Sequence, residues 1–226
     1  MAHLGAAHDQ LGHLHQVAQL QQVARDVEVG VELLDFALQQ GDAVGGTLLL
    51  AGHETTTNAV AWTFERLTRY PDVYADAREA VQAGNDNYLD ALLNESMRTR
   101  PVVPVVARTL MVPWQFGDQQ LESGVTALVS VLLLHHRDDL YPRPFAFDPS
   151  RFFDVRPTAH TLMPFGGGIR RCLGAPLAMA EMRTVVTEIL RRVDLETTDR
   201  PAERPQHRNV TMIPADGGLV RARSVS

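Results

Sequence analysis

The chain has 226 residues, of which 45% are apolar and 21% are charged, and this composition is ordinary for a globular protein with a sizeable core. Its formal net charge of −6 argues against nucleic acid or an anionic membrane as a partner. A single cysteine excludes an internal disulfide and favours a reducing, cytoplasmic location. Because the sequence has neither a long apolar run nor a basic leader followed by an apolar stretch, it predicts no membrane anchor and no signal peptide.

Three helices are predicted in the first half of the chain. Residues 1–40 are rich in glutamine and histidine and predict only an uncertain segment, helical or disordered. A long helix is predicted over Asp42–Tyr70, and it ends there because Pro71 disfavours helix in the preceding residue. Apolar periodicity then predicts helices over Pro71–Ala83 and Tyr88–Thr99, separated by a turn cluster.

The middle of the long helix, AGHETT at residues 51–56, is unusual for a helix interior. Gly52 and the successive threonines weaken a helix, so another interaction is expected to offset their cost. Thr55 is placed to donate its hydroxyl to the carbonyl of Ala51, four residues back. Beside it, Glu54 supplies an acid. The segment alone fits either a kinked core helix with a solvated glutamate or a proton relay made of an acid and a hydroxyl.

Glu95 and Arg98 are three residues apart and therefore neighbours on the surface of the predicted helix Tyr88–Thr99. As an exposed pair they would contribute only about 0.2–0.5 kcal/mol to stability. The pair on its own is therefore weak evidence of any special role.

Short β-favouring runs come next, and they predict a small sheet beside a helical body. These runs are Val105–Pro113, Trp114–Phe116 and Val125–Val129. The polar residues from His135 to Asp138 are interpreted as surface and helix-capping residues, and Pro142 to Phe153 as an irregular segment.

The segment 165–174, read FGGGIRRCLG, carries the cysteine and precedes a helix predicted over Ala175–Val193. Three successive glycines permit a flat loop, and a cysteine at the mouth of a helix lies where the helix dipole favours a thiolate. A lone cysteine is more often a small buried hydrophobe. The complete string, with Arg170 and Arg171 as donors for carboxylates, instead fits a loop that presents one sulfur to a planar iron cofactor with acidic edges.

The C-terminal part predicts a closing β-hairpin. Its strands are Val210–Ile213 and Leu219–Ala222, joined by the turn Asp216-Gly217-Gly218.

Together these motifs resemble those of the cytochrome P450 family. The cysteine string fills every fixed position of the haem-binding signature F-x-x-G-x-R-x-C-x-G, at Phe165, Gly168, Arg170, Cys172 and Gly174. AGHETT meets every position of the oxygen-activation motif A-G-x-[ED]-T-T. Glu95 and Arg98 resemble the E-x-x-R pair of the family's K helix, and residues 149–152 resemble the motif that supplies a second arginine, Arg151.

The resemblance implies haem b as the cofactor and Cys172 as the axial ligand of its iron. The other residues implied to contact the cofactor are Ala51, Gly52, Arg108, Phe165, Gly166, Gly168, Arg170 and Gly174. Arg108 would reach a propionate, an interpretation favoured over a solvated strand arginine because Gly117 and Gly124 also match the family spacing. Glu54 and Thr55 would be the catalytic residues that deliver protons to dioxygen.

The resemblance further implies that Glu95, Arg98 and Arg151 form a buried charge network that fixes the loop of Cys172. It predicts a mainly α fold with small β-sheets, the cytochrome P450 fold truncated at its N-terminal side, over residues 41–226. The implied activity is insertion of one oxygen atom from O2 into a small organic, hydrophobic substrate. Electrons would come from NAD(P)H through a ferredoxin and its reductase. The alternatives are a catalytically inactive remnant and a haem-binding module without turnover.

Overall fold

The computed structural model describes residues 43–224, so the prediction for the segment 1–40 lies outside the described residues. Within them the body is helical. Its α-helices are α1 (Ala43–Arg69), α2 (Pro71–Ala83), α3 (Asp86–Thr99), α4 (Val131–His135) and α5 (Ala175–Arg192). Two short 3-10 turns, Pro149–Phe152 and Gly168–Arg170, interrupt the long connection between α4 and α5. None of the helices in this part of the chain is both long and apolar enough to cross a membrane.

Short strands form antiparallel pairs at the side of this helical body. They are β1 (Val105–Thr109), β2 (Trp114–Phe116), β3 (Gln119–Leu121), β4 (Thr126–Ser130), β5 (Val193–Leu195), β6 (Pro205–Arg208), β7 (Thr211–Pro214) and β8 (Ala222–Ser224). The pairs are β1 with β4, β2 with β3, β5 with β8 and β6 with β7. The predicted fold class, mainly helical with small sheets, is confirmed.

The core lies where α1, α3 and α5 pack together. Trp62 and Leu67 of α1, Leu92 of α3, and Met182 and Val186 of α5 are all buried in one apolar cluster. Each helix contributes apolar residues three or four positions apart, so each buries one face against the other two. This packing fixes α1 and α5, the two helices that adjoin the sequence motifs.

Helix α2 has the bounds that the sequence predicts, because its ends carry strong local signals. Pro71 begins the first turn, where a missing N–H is harmless, and Gly84 ends the helix in the left-handed region with a φ of 67°. Helix α3 begins at Asp86, two residues before its predicted start, since the side chain of Asn85 accepts the N–H of Tyr88 and caps it.

The predicted C-terminal hairpin is wrong. Strand β7 pairs instead with β6 across a turn at Asn209, which has a φ of 54°, and β8 pairs with β5. The reason is the buried carboxylate of Glu203, which accepts the backbone N–H groups of Asp216, Gly218 and Leu219. These bonds hold residues 216–219 as a loop around the carboxylate, so the two predicted strands cannot pair with each other.

Candidate functional site

Cys172 lies in a compact loop just before α5. Its N–H donates to the carbonyl of Phe165 at 2.9 Å, which closes the loop, and Gly174 is the N-cap of the helix. Gly166 and Gly168 have φ values of 69° and 66°, a backbone region that side-chain-bearing residues rarely adopt. The glycine pattern therefore has a conformational cause, and the cysteine is exposed rather than packed in the core.

The surroundings of Cys172 are open and apolar. Ile169 is 101% exposed, Leu173 89% and Leu177 63%, which is unusual for three large apolar side chains so close in sequence. A Cβ added at Gly166 or Gly168 would meet no atom within 4 Å. An accessible sulfur, a flat glycine backbone and uncovered apolar side chains are the features that a haem face requires, so these residues fit the cofactor.

The AGHETT segment lies inside α1, with Ala51 and Gly52 exposed. Thr55 Oγ1 donates to the carbonyl of Ala51 at 2.7 Å, the bond that the four-residue spacing predicts. A Cβ at Gly52 would meet nothing within 4 Å. The helix therefore has open space at Gly52, one turn before the Thr55 hydroxyl.

Glu54 points towards the β6–β7 hairpin. The single proton of the Thr211 hydroxyl is shared between Glu54 Oε1, at 3.2 Å, and the carbonyl of Arg208, at 2.8 Å. Arg208 Nε lies 3.8 Å from the same Glu54 oxygen. The Glu54 side chain keeps about a third of its surface exposed, so it stays in contact with solvent. Sequence reasoning missed Arg208 and Thr211, since no local signal connects them to a residue more than 150 positions earlier.

Arg108 lies on β1, opposite Ala127 of β4, and is exposed. Its guanidinium donates to the carbonyl of Ala107 at 2.7 Å and forms no ion pair within residues 43–224. Arg170 and Arg171 are also exposed and likewise without an ion pair in that part of the chain. These three arginines keep donors available for carboxylates of a ligand or partner.

Glu95 and Arg98 are completely buried on α3 and meet as a bidentate pair. The two contacts are 2.6 Å from Arg98 Nε to Glu95 Oε2 and 2.7 Å from Nη2 to Oε1. Arg151 Nε lies 3.5 Å from Glu95 Oε1, and the N–H of Asp148 donates to that oxygen at 2.8 Å. Burial raises the pKa of Glu95, and the hydrogen bond and charge of Arg98 oppose that shift. The structure thus brings Glu95, Arg98 and Arg151 together.

Arg98 also anchors the irregular segment before the cysteine loop. Its remaining donors reach the carbonyls of His135, Pro144 and Ala146 at 2.8, 2.8 and 3.0 Å. A buried guanidinium that satisfies three carbonyls as well as a carboxylate fixes the path of the backbone around it.

The prediction that His135 is a surface residue is wrong, because its side chain is fully buried. It ends the short helix α4, one turn after the buried Val131 and therefore on the same face, and its Nε2 accepts the N–H of Met163 at 2.8 Å. Burial lowers the pKa of His135 to about 4. The neighbouring His136 is half-buried, burial lowers its pKa as well, and its Nδ1 lies 2.9 Å from the carbonyl of Leu132. The apolar run directly before His135 was the signal that could have identified its burial.

Arginines on α5 are engaged within the protein. Arg183 pairs with Asp90 of α3 at 2.6 Å, and Arg191 and Arg192 both pair with Glu188. Much of the positive charge on this helix is therefore balanced locally, whereas Arg170 and Arg171 of the cysteine loop form no ion pair with the residues that the structure describes.

The mainly helical fold and the exposed cysteine loop are compatible with a haem-binding protein, and comparison with known proteins identifies the family of the chain. The family model for cytochrome P450 matches residues 35–221, so the chain belongs to the cytochrome P450 family. Among curated proteins it is 45% identical over 184 residues to a putative cytochrome P450 135B1 of Mycobacterium tuberculosis, covering 79% of this chain. It is 36% identical over 217 residues to a putative cytochrome P450 137 of the same species, covering 96% of this chain.

Solved structures agree with this assignment. The chain superposes on the crystal structure of a cytochrome P450, CYP102L1, with a TM-score of 0.71 and 27% identity. It matches CYP175A1 from Thermus thermophilus with a TM-score of 0.68 and 32% identity. Each match covers 80% of this chain and 44% of the other.

The chain spans less than half the length of the curated relatives that it matches, 39% of cytochrome P450 135B1 and 45% of cytochrome P450 137. Haem b, iron protoporphyrin IX, is the cofactor of this family, and the members of the family are monooxygenases.

Proposed function

We propose that Cys172 is the thiolate ligand of haem b and that the chain is the cofactor-binding part of a monooxygenase. The observation that carries this proposal is the exposed sulfur at the mouth of α5, within a glycine loop and beside uncovered apolar side chains. The substrate is a small, hydrophobic organic molecule that receives one oxygen atom from O2. Because the chain spans less than half the length of its relatives, haem binding by the chain and monooxygenase turnover are tested separately.

The cofactor would be held from two directions. Cys172 would supply the thiolate ligand of the iron, and Phe165, Gly166, Gly168 and Gly174 shape the loop that presents it. Arg108 and Arg170 have no carboxylate partner within residues 43–224, and they would donate charge-assisted hydrogen bonds to the propionates. Ala51 and Gly52 leave the α1 surface free of bulky side chains. A thiolate-bound haem iron supplies the reductive cleavage of dioxygen.

On α1, Thr55 and Glu54 would handle the protons that this chemistry consumes. The Thr55 hydroxyl donates its proton to the Ala51 carbonyl at 2.7 Å, which leaves its lone pairs free to accept a hydrogen bond from a protonated group. Glu54 remains partly solvated and is held at Oε1 by Thr211, so it can exchange protons with water from a fixed position. Thr55 therefore acts at the oxygen end of the relay and Glu54 at the solvent end.

Electrons would arrive from NAD(P)H through a ferredoxin and its reductase. Arg171 supports an acidic partner on the cysteine side, since it is exposed, forms no ion pair among the described residues and is not assigned to a propionate as Arg170 is. The arginines of α5 contribute less, because Arg183, Arg191 and Arg192 pair with carboxylates of the chain itself.

The second candidate is a haem-binding module without turnover. It is supported by the uncovered apolar residues Ile169, Leu173 and Leu177, which would contact a haem whether or not turnover follows. The two candidates differ in whether haem binding is followed by turnover.

A reconstitution experiment tests the proposal. The chain is loaded with haemin, reduced and exposed to CO, and a strongly red-shifted Soret band is expected for thiolate ligation. Cys172→Ser should remove that band. The proposal is refuted if the unaltered chain binds no haem, or if the band persists in the variant.

Turnover is then measured on the haem-loaded chain with small hydrophobic test compounds, NAD(P)H, ferredoxin and reductase. The Thr55→Ala variant should consume NAD(P)H but form less oxygenated product, because it lacks the hydroxyl proposed to take part in proton delivery. Thr57→Ala is the matched control, since it loses a bond of the same kind, 2.8 Å to the carbonyl of His53. Haem binding without any substrate-dependent NAD(P)H consumption would favour the non-catalytic candidate.

A further inference from the structure

His135 connects the buried ion-pair cluster to the segment that carries the cysteine. Its backbone carbonyl accepts Arg98 Nη1 at 2.8 Å, and its ring Nε2 accepts the N–H of Met163 at 2.8 Å. No part of its side chain is exposed. One residue is therefore bonded through its backbone to the cluster of Glu95 and through its ring to the start of the loop.

The role of the ring is fixed by the chemistry of its partner. A backbone N–H only donates, so Nε2 of His135 must be the unprotonated nitrogen, and the proton lies on Nδ1. Within residues 43–224 Nδ1 makes no hydrogen bond of ordinary geometry, although the backbone of Met97 and Arg98 lies close enough to the ring to oppose the lowering of its pKa by burial. The bond from Met163 to Nε2 is the well-formed one, and an apolar side chain at position 135 would leave that N–H without its acceptor.

Two further backbone hydrogen bonds connect the position of Met163 to that of Cys172. The carbonyl of Met163 accepts the N–H of Gly166 at 3.2 Å, and the carbonyl of Phe165 accepts the N–H of Cys172 at 2.9 Å. Between them Pro164 restricts the backbone and donates no hydrogen bond of its own. The position of Met163 therefore determines where the closed loop places Cys172.

We propose that His135 is a positioning residue, which holds Met163 and through it sets the location of the Cys172 sulfur relative to the cluster of Glu95, Arg98 and Arg151. This inference rests on the proposed role of Cys172 as haem ligand. The low pKa of His135 supports it, because a neutral ring keeps its acceptor lone pair at physiological pH.

Two variants of His135 separate positioning from core filling. His135→Leu fills a similar volume but offers no acceptor, whereas His135→Gln carries a side-chain oxygen that can accept the Met163 N–H. His136→Leu is the matched control, since His136 is adjacent but contacts the carbonyl of Leu132 rather than the loop. Each variant is made in the full chain and measured with and without haemin.

Without haemin, amide hydrogen exchange is followed by mass spectrometry. His135→Leu should speed exchange across residues 163–172 by about tenfold, the loss expected for one buried hydrogen bond. Exchange in α1 and α3 should stay unchanged, and His135→Gln should restore protection of the loop. The proposal is overturned if the loop of His135→Leu keeps its protection, or if protection falls throughout the core in both His135 variants alike.

With haemin, the reduced CO complex reports the ligand. His135→Leu should shift the population from the red-shifted, thiolate-bound spectrum towards the unshifted one, while His135→Gln and His136→Leu keep the red-shifted form. Equal spectra for all variants would overturn the positioning role. If the unaltered chain itself lacks the red-shifted form, the haem-thiolate function fails, whereas the exchange measurement still decides whether His135 holds the loop.

Discussion

Replacement of Glu95 by glutamine tests how strongly the ion-pair cluster stabilises the fold. Glu95 is fully buried, receives two hydrogen bonds from Arg98 at 2.6 and 2.7 Å, and lies 3.5 Å from Arg151. Glutamine keeps the shape and one acceptor oxygen but removes the charge. Arg98, which is itself 0% exposed, would then be a buried cation without its counter-ion.

The cost follows from that uncompensated charge. Breaking a buried ion pair by removing one partner costs about 3–5 kcal/mol. Total stabilities of domains are about 5–15 kcal/mol, so Glu95→Gln should remove a large part of the free energy of unfolding. Arg98 keeps its bonds to the carbonyls of His135, Pro144 and Ala146, which places the expected loss nearer the lower end of that range.

Urea unfolding, followed by circular dichroism and by the fluorescence of buried Trp62, measures this loss. The matched control is Glu188→Gln on α5, which removes a carboxylate from an exposed pair with Arg191 and Arg192. Such pairs contribute about 0–1 kcal/mol. Equal midpoints for the two variants would refute the reasoning, because burial would then make no difference to the energy of the pair.

Further predictions concern the core, the pH dependence and one glycine. Leu92→Ala, at a fully buried position, should lower the free energy of unfolding by about 2–5 kcal/mol in urea melts. Burial lowers the pKa of His135 from 6.5 to about 4, so between these values the unfolded chain binds a proton that the folded chain does not. Stability should therefore fall as the pH drops from 6.5 towards 4, by about 3 kcal/mol, and urea melts of His135→Gln should lack this component. Gly218→Ala combines a φ of 71° with a Cβ only 3.2 Å from Ala61, and should lower the thermal midpoint more than Gly84→Ala, where φ is 67° but the space is open.

Local signals explain which elements could be predicted from the sequence. Helix α2 begins at Pro71 and ends before Gly84 in the structure as in the prediction, because both signals act within a few residues of the ends they define. The Thr55 bond to Ala51 is equally local, since four residues of helix bring a hydroxyl to that carbonyl. The glycines near Cys172 predicted an unusual backbone conformation, and Gly166 and Gly168 do have positive φ values in the structure.

Interactions between distant segments explain the errors. The predicted C-terminal hairpin failed because Glu203 binds the N–H groups of residues 216–219, and nothing in the sequence of those glycines indicates a buried carboxylate beside them. His135 and His136 are adjacent and chemically identical, yet the packing of α4 buries the first and leaves the second half-exposed.

The sequence by itself predicted helices α1, α2, α3 and α5 and the family motifs, since each depends on residues close together along the chain. Only the tertiary structure decided which charges are buried together, which carboxylate turns towards Thr211, and which histidine accepts the N–H of Met163. These interactions join segments that lie tens of residues or more apart in the sequence. Their energies depend on how deeply the groups are buried, and burial is a property of the packed chain as a whole.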